Sequence, residues 1–144
     1  MTVAEIQLQQ HLKKAGFSLT NPRKTVFSAL QDREPQTMAE LVTSCGNNLD
    51  RASVYRTIEL FEQLGIVQKL HVGWKYRLEL TDAFSHHHHH MTCLRCGTIT
   101  AFSEDAELEN RLHKLAEFHN FKPQDHQIEM RGLCHNCQVA TRMI

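Results

Sequence analysis

The chain has 144 residues, 41% of them hydrophobic, with 16 Lys and Arg balanced by 16 Asp and Glu and a high count of 11 His. No apolar run approaches the roughly 20 residues of a membrane-spanning helix, which excludes a helical membrane protein. The opening "MTVAEIQLQQHLKK" has neither an apolar core nor a small-residue cleavage site, so a cytoplasmic protein with no membrane partner is expected. In that reducing setting the five cysteines read as metal ligands before disulfides. Residues 1–80 are slightly basic and the rest slightly acidic, a bias that permits nucleic-acid binding in the first half without requiring it.

In chain order, residues 4–15 suit a helix that carries Ile6, Leu8 and Leu12 and stops at Gly16. "NPRKTVFSALQ" opens a second, with Asn21 as its cap, Pro22 in the first turn and Val26, Phe27 and Leu30 as its apolar stripe. "TMAELVTSCG" reads as a short third helix between Thr37 and Gly46, with Met38, Leu41 and Val42 as its apolar positions. The fourth, "DRASVYRTIELFEQLG", runs from Asp50 to Gly65 with Val54, Ile58, Phe61 and Leu64 inside. At 100° per residue its opposite face carries Arg51, Ala52, Tyr55 and Arg56 in the N-terminal half. Cations and a phenol at that end suit a DNA major groove, where the helix dipole also favours phosphate. "IVQKLHVGWKYRLEL" then alternates on both sides of Gly73, as a β-hairpin does, and holds Lys69, Lys75 and Arg77. Helices followed by a basic hairpin give the order of a winged helix-turn-helix.

"TDAFS" breaks the pattern and opens a second half. Two strands surround "CLRC"; a helix follows from Ser103 as cap, with Leu108, Leu112 and Leu115 inside; a last strand leads from His126 into "CHNC". Such a small sheet has an open edge and little core, so metal and dimerisation are expected to complete it. The expected fold class is α/β: a winged-helix DNA-binding domain at 1–82 and a metal-binding dimerisation domain at 83–144.

Cys93, Cys96, Cys134 and Cys137 form two Cys-x-x-Cys pairs, the ligand set of a closed structural Zn²⁺ site. The leftover Cys45 reads as a small core residue. Ahead of them stand five consecutive histidines, 86–90. On a strand they divide by face: His87 and His89 on one side, His86, His88 and His90 on the other. Glu109 and His126 are candidates to complete the odd-numbered set, with Glu107 competing with Glu109. For the even face, His71, Glu79 and Asp82 can join His88 and His90 in a hinge site between the halves, through which occupancy would become DNA affinity.

"RASVYRTIELFEQLGIVQKL", "HHHHHMTCLRCG" and "GLCHNC", in this order, resemble the ferric uptake regulator (Fur) family of bacterial metal-dependent repressors, and the resemblance covers essentially the whole chain. It implies a homodimer that binds a palindromic, AT-rich duplex when metal is present. Tyr55 and Arg56 match the family's DNA-contacting pair, and Arg23 its phosphate-contacting arginine. Departures from the family's pattern bear on the metal. Iron and peroxide sensors take a hinge histidine from just before the third helix, where this chain has "EPQT", and an acid five residues after the first Cys pair, here Ala101. His89 stands where iron-type members often have Asp, giving a nitrogen-rich set that favours Zn²⁺ over Fe²⁺ or Mn²⁺ as the regulatory metal. The hinge cysteine usual in zinc sensors is absent, and His71 and Asp82 are its substitutes. A hydrolase or deaminase motif is missing, so no enzyme is expected; a metal buffer without DNA binding is the remaining alternative, against which the winged-helix half argues.

Overall fold

In the computed structural model, which describes residues 1–142, four helices open the chain and each begins on a side-chain cap. In α1 (Val3–Lys14) the Thr2 hydroxyl accepts from the Glu5 N–H while the Glu5 carboxylate accepts from the Thr2 N–H, a reciprocal box repeated by Thr37 and Glu40 at α3 (Met38–Cys45). Asp50 caps α4 (Arg51–Gln63) through the Ser53 N–H. At α2 (Asn21–Leu30) the cap is Thr20, not the expected Asn21. Thr20 has the extended backbone a cap needs, and Pro22 follows in the first turn, where a missing N–H costs nothing.

The helices enclose a core of Leu8, Leu12, Val26, Phe27, Leu41, Val54 and Phe61, all fully buried; Cys45 is buried at its edge. Of the apolar residues of α1, Leu8 and Leu12 are buried and Ile6 stays 40% exposed. Gly65, at φ +70°, turns the chain out of α4 into the hairpin of β1 (Val67–Val72) and β2 (Lys75–Leu80). Its register pairs Val72 with Lys75 across a Gly73–Trp74 turn in which Gly73 takes φ +63°. Sequence pattern did not show that Gln36 also pairs with Leu78, adding a third short rung to the hairpin. The Gln36 side chain is buried, donates to the Ala29 carbonyl at 2.8 Å and accepts from the Ser44 hydroxyl at 2.9 Å, so one residue ties α2, α3 and β2.

The first compact unit extends to Ser85 and the second begins at His86. Residues 81–85 stay with the first unit because Thr81 bonds Ile66 and Gly65, and Phe84 packs edge-on against Phe27 and His11.

In the second unit, β3 (His88–Cys93) lies between β4 (Ile99–Ser103), antiparallel, and β5 (Glu129–Gly132), parallel. Parallel neighbours need a crossover, which α5 (Ala106–Phe118) supplies. Its cap is Asp105 rather than Ser103, because Ser103 is still paired with His88 as the last residue of β4. Leu108 and Leu112 are only half-buried and Leu115 is 50% exposed, contrary to expectation. No residue of α5 is fully buried and all of β5 is exposed, since this unit offers no second layer to cover them. A short helix that periodicity missed, α6 (His135–Arg142), carries Cys137. No helix among the described residues is long and apolar enough to cross a membrane.

Candidate metal centres and nucleic-acid interface

The histidine run divides by face as alternation predicts. The rings of His87 and His89 meet at 4.6 Å and those of His88 and His90 at 4.8 Å. β3 starts at His88, so His87 sits just ahead of it. His87 Nε2 lies 3.2 Å from both Glu109 Oε1 and His126 Nε2; His89 Nε2 is 2.6 Å from Glu109 Oε1, and His126 Nε2 is 2.5 Å from Glu109 Oε2. Glu109 is in the first turn of α5, and His89 is fully buried. The other nitrogen of His89, Nδ1, accepts from the Ile128 N–H at 3.3 Å, so its ring is held from both edges. Burial alone would raise the Glu109 carboxyl, but the His89 hydrogen bond and the neighbouring imidazoles outweigh it and hold the group below its ordinary range. Glu107, the competitor, is exposed on another face. His126 does not open a strand as expected but stands in the loop before β5, where its ring meets those of His87 and His89.

All four donor atoms lie within 4.8 Å of one another. Zinc bonds of about 2 Å in a tetrahedral site put nitrogens about 3.3 Å apart, close to the His87–His126 separation. Three imidazoles and one carboxylate therefore fit a divalent cation.

The four cysteines converge from the end of β3 (Cys93), the turn after it (Cys96), the residue just ahead of α6 (Cys134) and the first turn of α6 (Cys137), again within 4.8 Å. Cys96 Sγ and Cys134 Sγ are 3.8 Å apart, the spacing that Zn–S bonds of about 2.3 Å impose on a tetrahedron. Backbone N–H groups of Cys134 and Cys96 lower the Cys93 thiol to about 6, whereas burial and the crowding thiols push Cys137 up to about 12. Four sulfurs so close cannot all ionise without a cation among them, so the residues fit a structural zinc.

The nominated hinge residues are distributed over both units. His71 points to the hairpin face of Tyr76, their rings 6.1 Å apart, whereas Glu79 is on the opposite face, buried and bonded by Gln68 at 2.7 Å. Opposite faces of one hairpin cannot serve one ion, so His71 and Glu79 do not share a site. Asp82 is exposed in the turn after β2.

On α4 the expected DNA-facing side chains are exposed together. Arg51 donates to the Tyr55 hydroxyl at 3.3 Å and lies over its ring, and Arg56 donates to Ser53 Oγ at 3.2 Å. Arg23, at the start of α2, stacks on Phe17 and donates to the Ser18 carbonyl at 2.6 Å; it lines one groove with Arg56 and Ser53. The hairpin's cations behave differently from the expectation. Arg77 pairs with Glu40 at 3.4 Å and Lys69 with Glu62 at 3.3 Å. Only Lys75, over the 88% exposed Trp74 at the tip, has no carboxylate partner among the described residues. The signal for Trp74 in the sequence is a lone Trp next to a turn glycine.

A winged helix-turn-helix joined in one chain to a sheet with two donor clusters defines a metal-responsive DNA-binding regulator. The model of the Ferric uptake regulator family matches residues 14–131. The ferric uptake regulation protein of Vibrio anguillarum is 34% identical over 131 residues, 87% of this chain and 86% of that protein; that of Bacillus subtilis is 32% identical over 139 residues, 91% and 92%. The structure of the Helicobacter pylori ferric uptake regulator Fur, which reveals three functional metal binding sites, superposes with a TM-score of 0.75 at 28% identity, over 95% of each chain. The chain belongs to the ferric uptake regulator family. It is accordingly a dimeric, metal-responsive transcriptional regulator and not an enzyme.

Proposed function

We propose that this chain is a repressor switched on by Zn²⁺ at His87, His89, Glu109 and His126, with a second, permanent zinc at Cys93, Cys96, Cys134 and Cys137. The observation that carries the reading is the convergence of three imidazole nitrogens on one carboxylate. A bound cation would link the segment ahead of β3, β3 itself, α5 and the loop before β5, and so order the unit that has the least core of its own. Nitrogen-rich coordination favours zinc over oxygen-loving ions. The twofold symmetry of a dimer calls for a palindromic operator, each half-site read by Tyr55, Arg56 and Arg51, with Arg23 on phosphate. The three functional metal binding sites of the H. pylori regulator support a regulatory ion in addition to the structural one.

A second reading, Fe²⁺ or Mn²⁺ as the signal, is favoured by the relatives being ferric uptake regulation proteins. Electrophoretic mobility shift with operator DNA, after chelation and readdition of each metal at buffered free concentration, separates the two. Equal binding with and without chelation would overturn both.

A further inference from the structure

The DNA-facing side of α4 contains a carboxylate. At about 100° per residue, Arg51, Tyr55, Glu59, Ala52 and Arg56 follow one another around the helix within an arc of about 140°, and all five are exposed. Glu59 is at the middle of that arc, about 6 Å along the axis from Tyr55. It borders the groove between α4 and the hairpin together with Tyr55, Arg56, Lys69 and Tyr76. The other acid of that groove, Glu62, is neutralised by Lys69 at 3.3 Å. The nearest cation on the helix, Arg56, is turned to Ser53, and among the described residues Glu59 has no ion pair.

An uncompensated carboxylate on a groove-reading face is repelled by phosphate wherever the helix lands. The repulsion is offset only where its oxygens meet an exocyclic amino group. Cytosine N4 offers that donor with no acceptor on the same base's groove edge, whereas adenine N6 stands beside its own acceptor N7, and guanine and thymine present acceptors. We propose that Glu59 is a specificity-determining residue, selecting cytosine at one position of each half-site and weakening binding to every other sequence. The inference rests on the assignment of Tyr55 and Arg56 to the DNA-reading face. Phosphate-binding arginines attract the protein to all DNA alike, and Glu59 supplies the opposing contribution that separates operator from bulk.

The test uses the full-length, metal-loaded protein and a randomised duplex library. Wild type should enrich sites with one cytosine-rich position per half-site. Glu59→Ala should lose the preference at that position alone and bind a mixed-sequence duplex about tenfold more tightly at low salt, a gain that shrinks as salt rises. Glu59→Gln should shift the same position towards adenine, which a carboxamide reads through N6 and N7. Unchanged enrichment and unchanged bulk affinity in Glu59→Ala, with enrichment still lost in Tyr55→Ala/Arg56→Ala, would overturn the role of Glu59 alone. Enrichment that survives Tyr55→Ala/Arg56→Ala would overturn the reading face and the proposal together.

Discussion

His89 Nε2 lies 2.6 Å from Glu109 Oε1, joining the central strand of the second unit to the first turn of its crossover helix. Glu109 also touches all three imidazoles of the cluster. Glu109→Ala should therefore weaken regulatory metal binding by roughly a hundredfold or more, since it removes a ligand and the partner that orients the others. One tightly held zinc per chain should persist at the cysteines. Competition titration with a chromophoric chelator, alongside total metal analysis, measures both.

Tyr55→Ala combined with Arg56→Ala should abolish operator-specific binding and leave the dimer intact, because both side chains are exposed on α4 and contribute nothing to the core. Residual binding should keep a steep salt dependence, as expected of phosphate contacts alone. Fluorescence anisotropy at two salt concentrations and analytical ultracentrifugation would establish this.

Gln36→Ala should cost the first unit about 1–3 kcal/mol, because it strips the buried Ala29 carbonyl of its side-chain partner, whereas the exposed Ser44 hydroxyl keeps the Glu40 carbonyl. The loss should also loosen the hairpin, seen as faster amide exchange at Leu78, whose N–H bonds the Gln36 carbonyl. A melting temperature within error of wild type would remove Gln36 from this role.

The Asp50 cap gives a pH signature. Hydrogen bonds from Ser53 hold its carboxyl below the ordinary value of about 3.9. A depressed folded value means stability that is present above the unfolded value and lost as pH falls through the folded one. Asp50→Asn keeps a capping oxygen but does not titrate. Wild type should thus be the more stable at pH 6, with the difference closing below pH ~4. Parallel denaturant melts across that range provide the measurement.

Much of this was legible in the sequence because short-range rules govern it. Caps, periodicity and a turn glycine define α1 to α4 and the hairpin, and strand alternation separates His87 and His89 from their neighbours. What was not legible depends on contacts distant in the chain. His71 was nominated beside Glu79 because both lie in the hairpin, and only the register puts them on opposite faces. Arg77 and Lys69 are cations of the hairpin by sequence, but Glu40 and Glu62, from α3 and α4, pair with them. Leu115 had the spacing of a core residue, but periodicity reports which face is apolar and not whether the same chain covers it.

No residue of α5 is fully buried and all of β5 is exposed, so a second copy covering them should make the second unit's stability depend on protein concentration. A chain that needs its twin to have an inside is folded in proportion to how many copies surround it. Abundance should then act beside metal: dilution should lower the melting temperature of the second unit and leave that of the first, with its own core, unchanged.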